Sequence, residues 1–298
     1  MIDWLKDRGR TNRTAGVLAA MLLIAIVMGI TGGYEAMTSV EPRQTSSTQP
    51  TFDHVADVGP GQMEWVDDDG PVLLEWGEGP SRDFSLQLHQ STPGDDGPME
   101  VTIDVAGVET IESDGERRRV GWRWSPRGLD IRSGGAVVDE KLHRTVTEVL
   151  ETSHVEQVVD SRGRSLETVV DGRTADRGGA AAGLVTAMLQ LSMPRFPAER
   201  ILVGESWHYE FETPTADVGP VPRIGVEARL DGFYEGSDGR VAAIDRRIRS
   251  IDDERVDATG EVEGRGTAYF DVDTGRLVAS QWRIDRRTAE IELAWFAH

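Results

Sequence analysis

The chain has no cysteine, a single asparagine (Asn12) and two lysines (Lys6 and Lys141) among its 298 residues. Without cysteine there is no disulfide and no thiolate metal site. A small secreted scaffold would need such staples; a chain of this length can bury a core without them. Base is also in short supply. Asp and Glu number 52 against 32 Lys and Arg, a net charge of −20. A surface so acidic repels nucleic acid and anionic lipid headgroups, so no nucleic-acid partner is expected. Arginine in place of lysine, with acid in excess, suits a salty environment, where ions screen self-repulsion. The coding bias of a GC-rich genome gives the same arginine preference. Long apolar runs are absent, with one exception.

That exception is residues 14–34, TAGVLAAMLLIAIVMGITGGY, which hold no charge. As a helix they extend about 31 Å, enough to cross a bilayer core. Lys6, Arg8, Arg10 and Arg13 precede the run, and Arg43 is the one strong base in the 30 residues after it. This bias places residues 1–13 as a cytoplasmic stub, 14–34 as a transmembrane helix, and the remainder outside the inner (cytoplasmic) membrane. A cleaved signal peptide remains open, because Thr31, Gly32 and Gly33 are small. Cleavage would make the protein secreted. Against it stand the missing Ala-x-Ala site and the poor boundary at Tyr34 and Glu35.

Residues 35–62 read as a flexible linker rich in Ser, Thr, Pro, Gln and Gly. A single extracytoplasmic domain is expected over 63–298. There the dominant period is two. Leu74 and Trp76; Phe84, Leu86 and Leu88; Val101, Ile103 and Val105; and Val120, Trp122 and Trp124 each alternate with other residues, as half-buried antiparallel strands do. Strands are also expected over 155–159, 166–170, 207–211, 226–230, 241–251, 267–272, 277–284 and 291–295. Gly115, Gly163, Gly239 and Gly275 sit in turn-like triplets between strands. Two segments change period. Leu142, Val146, Val149 and Leu150 predict an amphipathic helix over 138–152, with a strand over 145–150 as the alternative. Leu184, Met188 and Leu191 predict a second helix over 180–193, stopped by Pro194 and Pro197. The Ser-Asp-Gly triplets at 113–115 and 237–239 end similar aromatic-rich stretches. Two β lobes would give that echo, and so would two meanders with like turns.

The chemistry-bearing residues form no recognisable constellation. His54, His89, His143, His154, His208 and His298 show no metal-ligand spacing. Gly204-Glu205-Ser206-Trp207-His208 departs from a nucleophile elbow, since His208 replaces the last glycine and a strand follows. Asp67-Asp68-Asp69-Gly70 and Asp271-x-Asp273-x-Gly275 could gather calcium, but both read better as turns. Arginines 117–119 and Arg246, Arg247 and Arg249 look like basic patches, yet neighbours along a strand face opposite sides. No catalytic, metal or cofactor residue is assigned, no cofactor is expected, and the chain reads as a non-enzyme.

The stretch Phe196-Pro197-Ala198-Glu199-Arg200-Ile201-Leu202-Val203-Gly204-Glu205-Ser206-Trp207 resembles the Pro…Val-Gly-x-Ser-Trp segment of a family of uncharacterised bacterial envelope proteins. In that family an apolar helix precedes the segment, and strands follow it up to one like 266–278. The resemblance spans about 140–298. It implies an extracytoplasmic β domain of unknown function and carries over no site residues. The expected fold is mainly β (α+β): a curved antiparallel sheet or half-barrel with two helices, the apolar one in its concave side. Such a shape resembles periplasmic lipoprotein carriers. The expected function is a binding module whose concave face holds an apolar ligand, a lipid included, or an envelope component. The alternative is a structural or interaction protein of the envelope without a small-molecule site.

Overall fold

The computed structural model describes residues 64–66, 70–93, 98–133, 136–137, 154–170, 173–174, 189–211, 224–236, 239–250, 262–286 and 289–298. The expected span, its linker, the helix over 138–152 and the acidic turn at 67–69 lie outside these residues. Among the described residues no helix is long and apolar enough to cross a membrane.

Alternation becomes strand almost everywhere it was expected. The elements are β1 (Glu64–Val66), β2 (Gly79–Thr92), β3 (Met99–Asp114), β4 (Arg117–Ser133), β5 (Ala136–Val137), β6 (His154–Asp160), β7 (Ser165–Val170), β8 (Arg173–Thr174), β9 (Ser206–Phe211), β10 (Ile224–Gly236), β11 (Gly239–Ser250), β12 (Val262–Asp271), β13 (Arg276–Arg286) and β14 (Ala289–Ala297). All pair antiparallel within one sheet, ordered β1-β10-β11-β12-β13-β14-β2-β3-β4-β6-β7-β8, with β5 beside β4 and β9 beside β10. The two echoing stretches are therefore meanders of a single sheet, joined where β14 pairs with β2. Glycines at positive φ close the hairpins, among them Gly163 at 79° and Gly275 at 69°, a conformation that costs other residues a clash at Cβ.

The sheet curls, and the strap over 72–77 shows how far. Val72 bridges to Ile201 beside β9. Four residues on, the Trp76 amide donates to the Ser161 carbonyl in the β6–β7 turn at 2.8 Å. Along the sheet β10 and β6 are eight strand spacings apart, about 38 Å if flat. Four extended residues reach about 14 Å. Only strong curvature brings those points together. The strap is a correction to the expected strand at Leu74 and Trp76. It crosses the ends of other strands instead of joining the ladder. Both side chains are 2 % exposed, so burial of alternate residues gave the same signal.

The concave side holds the core. Trp76 meets Phe270 edge-on at 5.4 Å and Phe196 at 6.3 Å, and Phe196 meets Phe270 at 4.6 Å. These contacts tie the strap and the segment before β9 to the sheet. The described end of the expected second helix is a helical turn at 189–192, with Leu189 buried. Trp282 donates from its indole to the Leu191 carbonyl at 2.6 Å. Room for that ring comes from Gly266, where an added Cβ would lie 2.5 Å from it. Gly266→Ala therefore forces the tryptophan or the strand to shift. The expected loss is about 1–3 kcal/mol, read as a lowered Tm in a circular-dichroism melt. An unchanged Tm would show that the ring is loosely held.

Candidate functional site

Two charged groups interrupt the apolar concave side. At the strap end Glu109, 2 % exposed, receives Arg82 through Nε at 3.1 Å and Nη2 at 2.8 Å. Arg276 Nη2 approaches the same carboxylate at 3.9 Å, while its Nη1 donates to the Pro80 carbonyl at 2.7 Å. Burial, then the Arg82 charge, hold Arg276 below the usual arginine range, and Glu109 opposes both. Midway along the curl Arg246 is fully buried. It donates to the Leu191 and Ser192 carbonyls and to Ser280 Oγ, and lies 4.4 Å from the Trp282 ring centre. Tyr209 lies beside it. Burial pushes that phenol up, and the Arg246 and Arg195 guanidiniums pull it partly back. Both clusters hold elements together.

The groove lies on the other side. A depression of about 950 Å³ is lined by residues from β9 to β13. Strand alternation sorts its wall. Val226 and Ile248 are buried toward the core, whereas His208, Glu227, Arg247, Arg265 and Arg283 are exposed. Register sets these five in one row across five strands: His208 opposes Glu227, Glu227 opposes Arg247, Arg247 opposes Arg265, and Arg265 opposes Arg283. A second row, nearer the strand ends, runs Glu210, Gly225, Arg249, Glu263 and Asp285. The groove is thus on the convex face, and this corrects the expected ligand site: described side chains such as Leu88, Ile103, Trp122 and Trp295 fill the concave one and pack there as core.

The sequence-level candidates separate accordingly. Ser206 is exposed and opens β9 after Gly204, as a strand start and not an elbow. Asp271 Oδ1 accepts from the Asp273 and Thr274 amides at 2.9 and 3.0 Å, so this turn spends its carboxylate on its own backbone. Among the described residues no three His, Asp or Glu are placed to hold a metal ion. His89 meets Thr102, and His298 meets Ser85 at 2.9 Å from Nε2 to Oγ. The latter contact resembles a nucleophile and its base. No described residue orients the other ring nitrogen, however, and the pair lies outside the groove. It fastens the end of β14 to β2. His54 and His143 lie outside the described residues, and His154 opens β6. Of Arg246, Arg247 and Arg249, the first enters the core and the others reach the groove. Arg119 pairs with Glu156 at 2.9 Å.

No protein-family model and no curated protein matches the chain. Among solved structures it is similar to the hypothetical lipoprotein YmcC from Escherichia coli, at 11 % identity over 78 % of this chain and 90 % of that one, TM-score 0.27. It is also similar to a putative outer membrane lipoprotein-sorting protein domain from Vibrio parahaemolyticus, at 7 % identity over 73 % and 86 %, TM-score 0.21. A DUF1329 family protein from Desulfovibrio piger gives 9 % identity over 72 % and 84 %, TM-score 0.17. The site is therefore read from its own residues.

The segment from Phe196 to Trp207 has a structural task in this fold. The Phe196 amide donates to the Arg162 carbonyl at 2.9 Å, Ile201 bridges to Val72, and the Trp207 indole donates to the Arg195 carbonyl at 2.6 Å. These contacts hold the chain across one end of the curled sheet and launch β9, which carries His208 into the groove wall.

Proposed function

We propose that the protein is a membrane-anchored, extracytoplasmic binding module without enzymatic activity, and that it holds a component of the cell envelope in the convex groove. The supporting observation is a ligand-sized depression on the face of the sheet, lined by polar side chains in register. Sites built on strands hold their geometry better than sites on loops. The basic flank before residues 14–34 supports the orientation, with the domain in the periplasm or outside.

The test is site-specific photo-crosslinking in intact cells. A photoreactive side chain replacing Glu227 in the groove is expected to capture an envelope component. The same group replacing Arg119, exposed on β4, is expected to capture none. Equal labelling at both positions, or at neither, would remove the assignment.

A second reading, an interaction protein without a small-molecule site, has its own support. Trp65 is 53 % exposed and meets Tyr234 edge-on at 5.1 Å, and Tyr234 meets Tyr269 at 6.3 Å. Tyr269 packs on Ala279, Ala294 and Phe296. This aromatic row on the convex face suits a protein partner. Captured protein at position 65 with none at 227 would favour it.

A further inference from the structure

The groove carries an arrangement that folding alone disfavours. Arg247, Arg265 and Arg283 stand directly opposite one another on β11, β12 and β13. Directly opposed side chains start about 5 Å apart, and like charges there destabilise a sheet. Acid is the abundant charge in this chain, yet the middle rung is a third arginine. The outer rungs have carboxylates near them: Arg247 lies 3.7 Å from Asp245 on its own strand, and Arg283 pairs with Glu290. Arg265 forms no ion pair among the described residues. Glu227 and Glu292 bound the row at either end.

Chemistry narrows what would sit there. Guanidinium forks match phosphate oxygens two at a time, and they remain charged at any working pH. Three forks at strand spacing exceed what one carboxylate needs. They suit a group with several anionic oxygens. The groove also exceeds a bare phosphate in size, and Glu263 and Asp285 in the neighbouring row would accept from hydroxyl or ammonium groups. We propose that the convex groove binds a phosphate ester bearing hydroxyl or amine substituents, with Arg265 as the central contact and Arg247 and Arg283 on either side. This rests on the binding-module reading above and specifies its ligand class. The phosphate could belong to a lipid headgroup or to a soluble molecule.

The test uses the full chain in non-ionic detergent and isothermal titration calorimetry. One arm adds glycerol 3-phosphate, a soluble phosphate ester with two hydroxyls, and the other adds short-chain phosphatidylglycerol to the micelle. Saturable binding is expected in at least one arm, and the arm identifies the source. Arg265→Glu is expected to weaken it tenfold or more, and Arg265→Gln to weaken it less. Because the substitution relieves like-charge opposition, the Arg265→Glu Tm should hold or rise. No saturable binding in either arm overturns the proposal. So does binding that is unchanged in both variants, or a lowered Tm with unchanged binding, which would make Arg265 a structural partner. If calorimetry fails while the crosslink at position 227 succeeds, the ligand class falls and the binding module stands.

Discussion

Glu109→Gln should lower the stability of the domain by about 3–5 kcal/mol, the usual cost of breaking a buried ion pair from one side. The amide keeps the shape of the carboxylate and removes its charge. Arg82 and Arg276 then remain beside each other with side chains 15 % and 7 % exposed. Water cannot replace what the carboxylate supplied. For a domain of this size the change corresponds to a fall in Tm of about 10 °C. Glu112→Gln, an exposed neighbour on the same strand, should stay within about 0.5 kcal/mol. A combined Glu109→Met and Arg276→Met variant should recover part of the loss, since apolar replacement of both partners removes the desolvation cost along with the attraction. A thermal melt of all four proteins decides the matter. A Glu109→Gln Tm within about two degrees of the parent, against the expected fall of about 10 °C, would mean that water already reaches the cluster.

Glu109 also shows where the sequence stops informing. It is one of 52 acidic residues, and nothing in its neighbourhood along the chain marks it. Its partners come from β2 and the start of β13, 27 and 167 residues away in number. Strands were legible because each carries its own signal: Val101, Ile103 and Val105 alternate whatever they pair with. Turns were legible because Gly115, Gly163 and Gly275 need a backbone that glycine tolerates. The strap at 72–77 was misread because alternate burial needs no ladder. The arginine row was invisible because Arg247, Arg265 and Arg283 are 18 residues apart at each step. Only register assembles them, and register is a property of strand pairs. Along β11 alone, alternation separates Arg246 from Arg247 and Arg249 but does not say which face is buried.

That last distinction yields the second large effect. Arg246→Met should cost about 3 kcal/mol, because the loss of several charge-assisted hydrogen bonds outweighs the relief of a buried charge. Methionine fills much of the same space. It leaves the Ser192 carbonyl and the Ser280 hydroxyl without the donor that reached them at 3.3 and 2.7 Å. It also removes a cation from the last carbonyls of a helical turn, where positive charge is favourable. The damage should concentrate at the segment that Arg246 holds. Hydrogen exchange should accelerate at the Phe196 amide, which bonds the Arg162 carbonyl, while the Ala268 amide in β12 exchanges slowly. Arg246→Lys keeps the charge without the fork and should fall between. A methionine variant with full stability and an equally protected Phe196 amide would show that packing alone docks this segment. One residue along, the consequence reverses. Arg247→Glu should weaken phosphate binding in the groove and leave the Phe196 amide protected. Adjacent arginines on one strand, sent to opposite faces by its pleat, thereby separate what holds the sheet in shape from what the sheet presents.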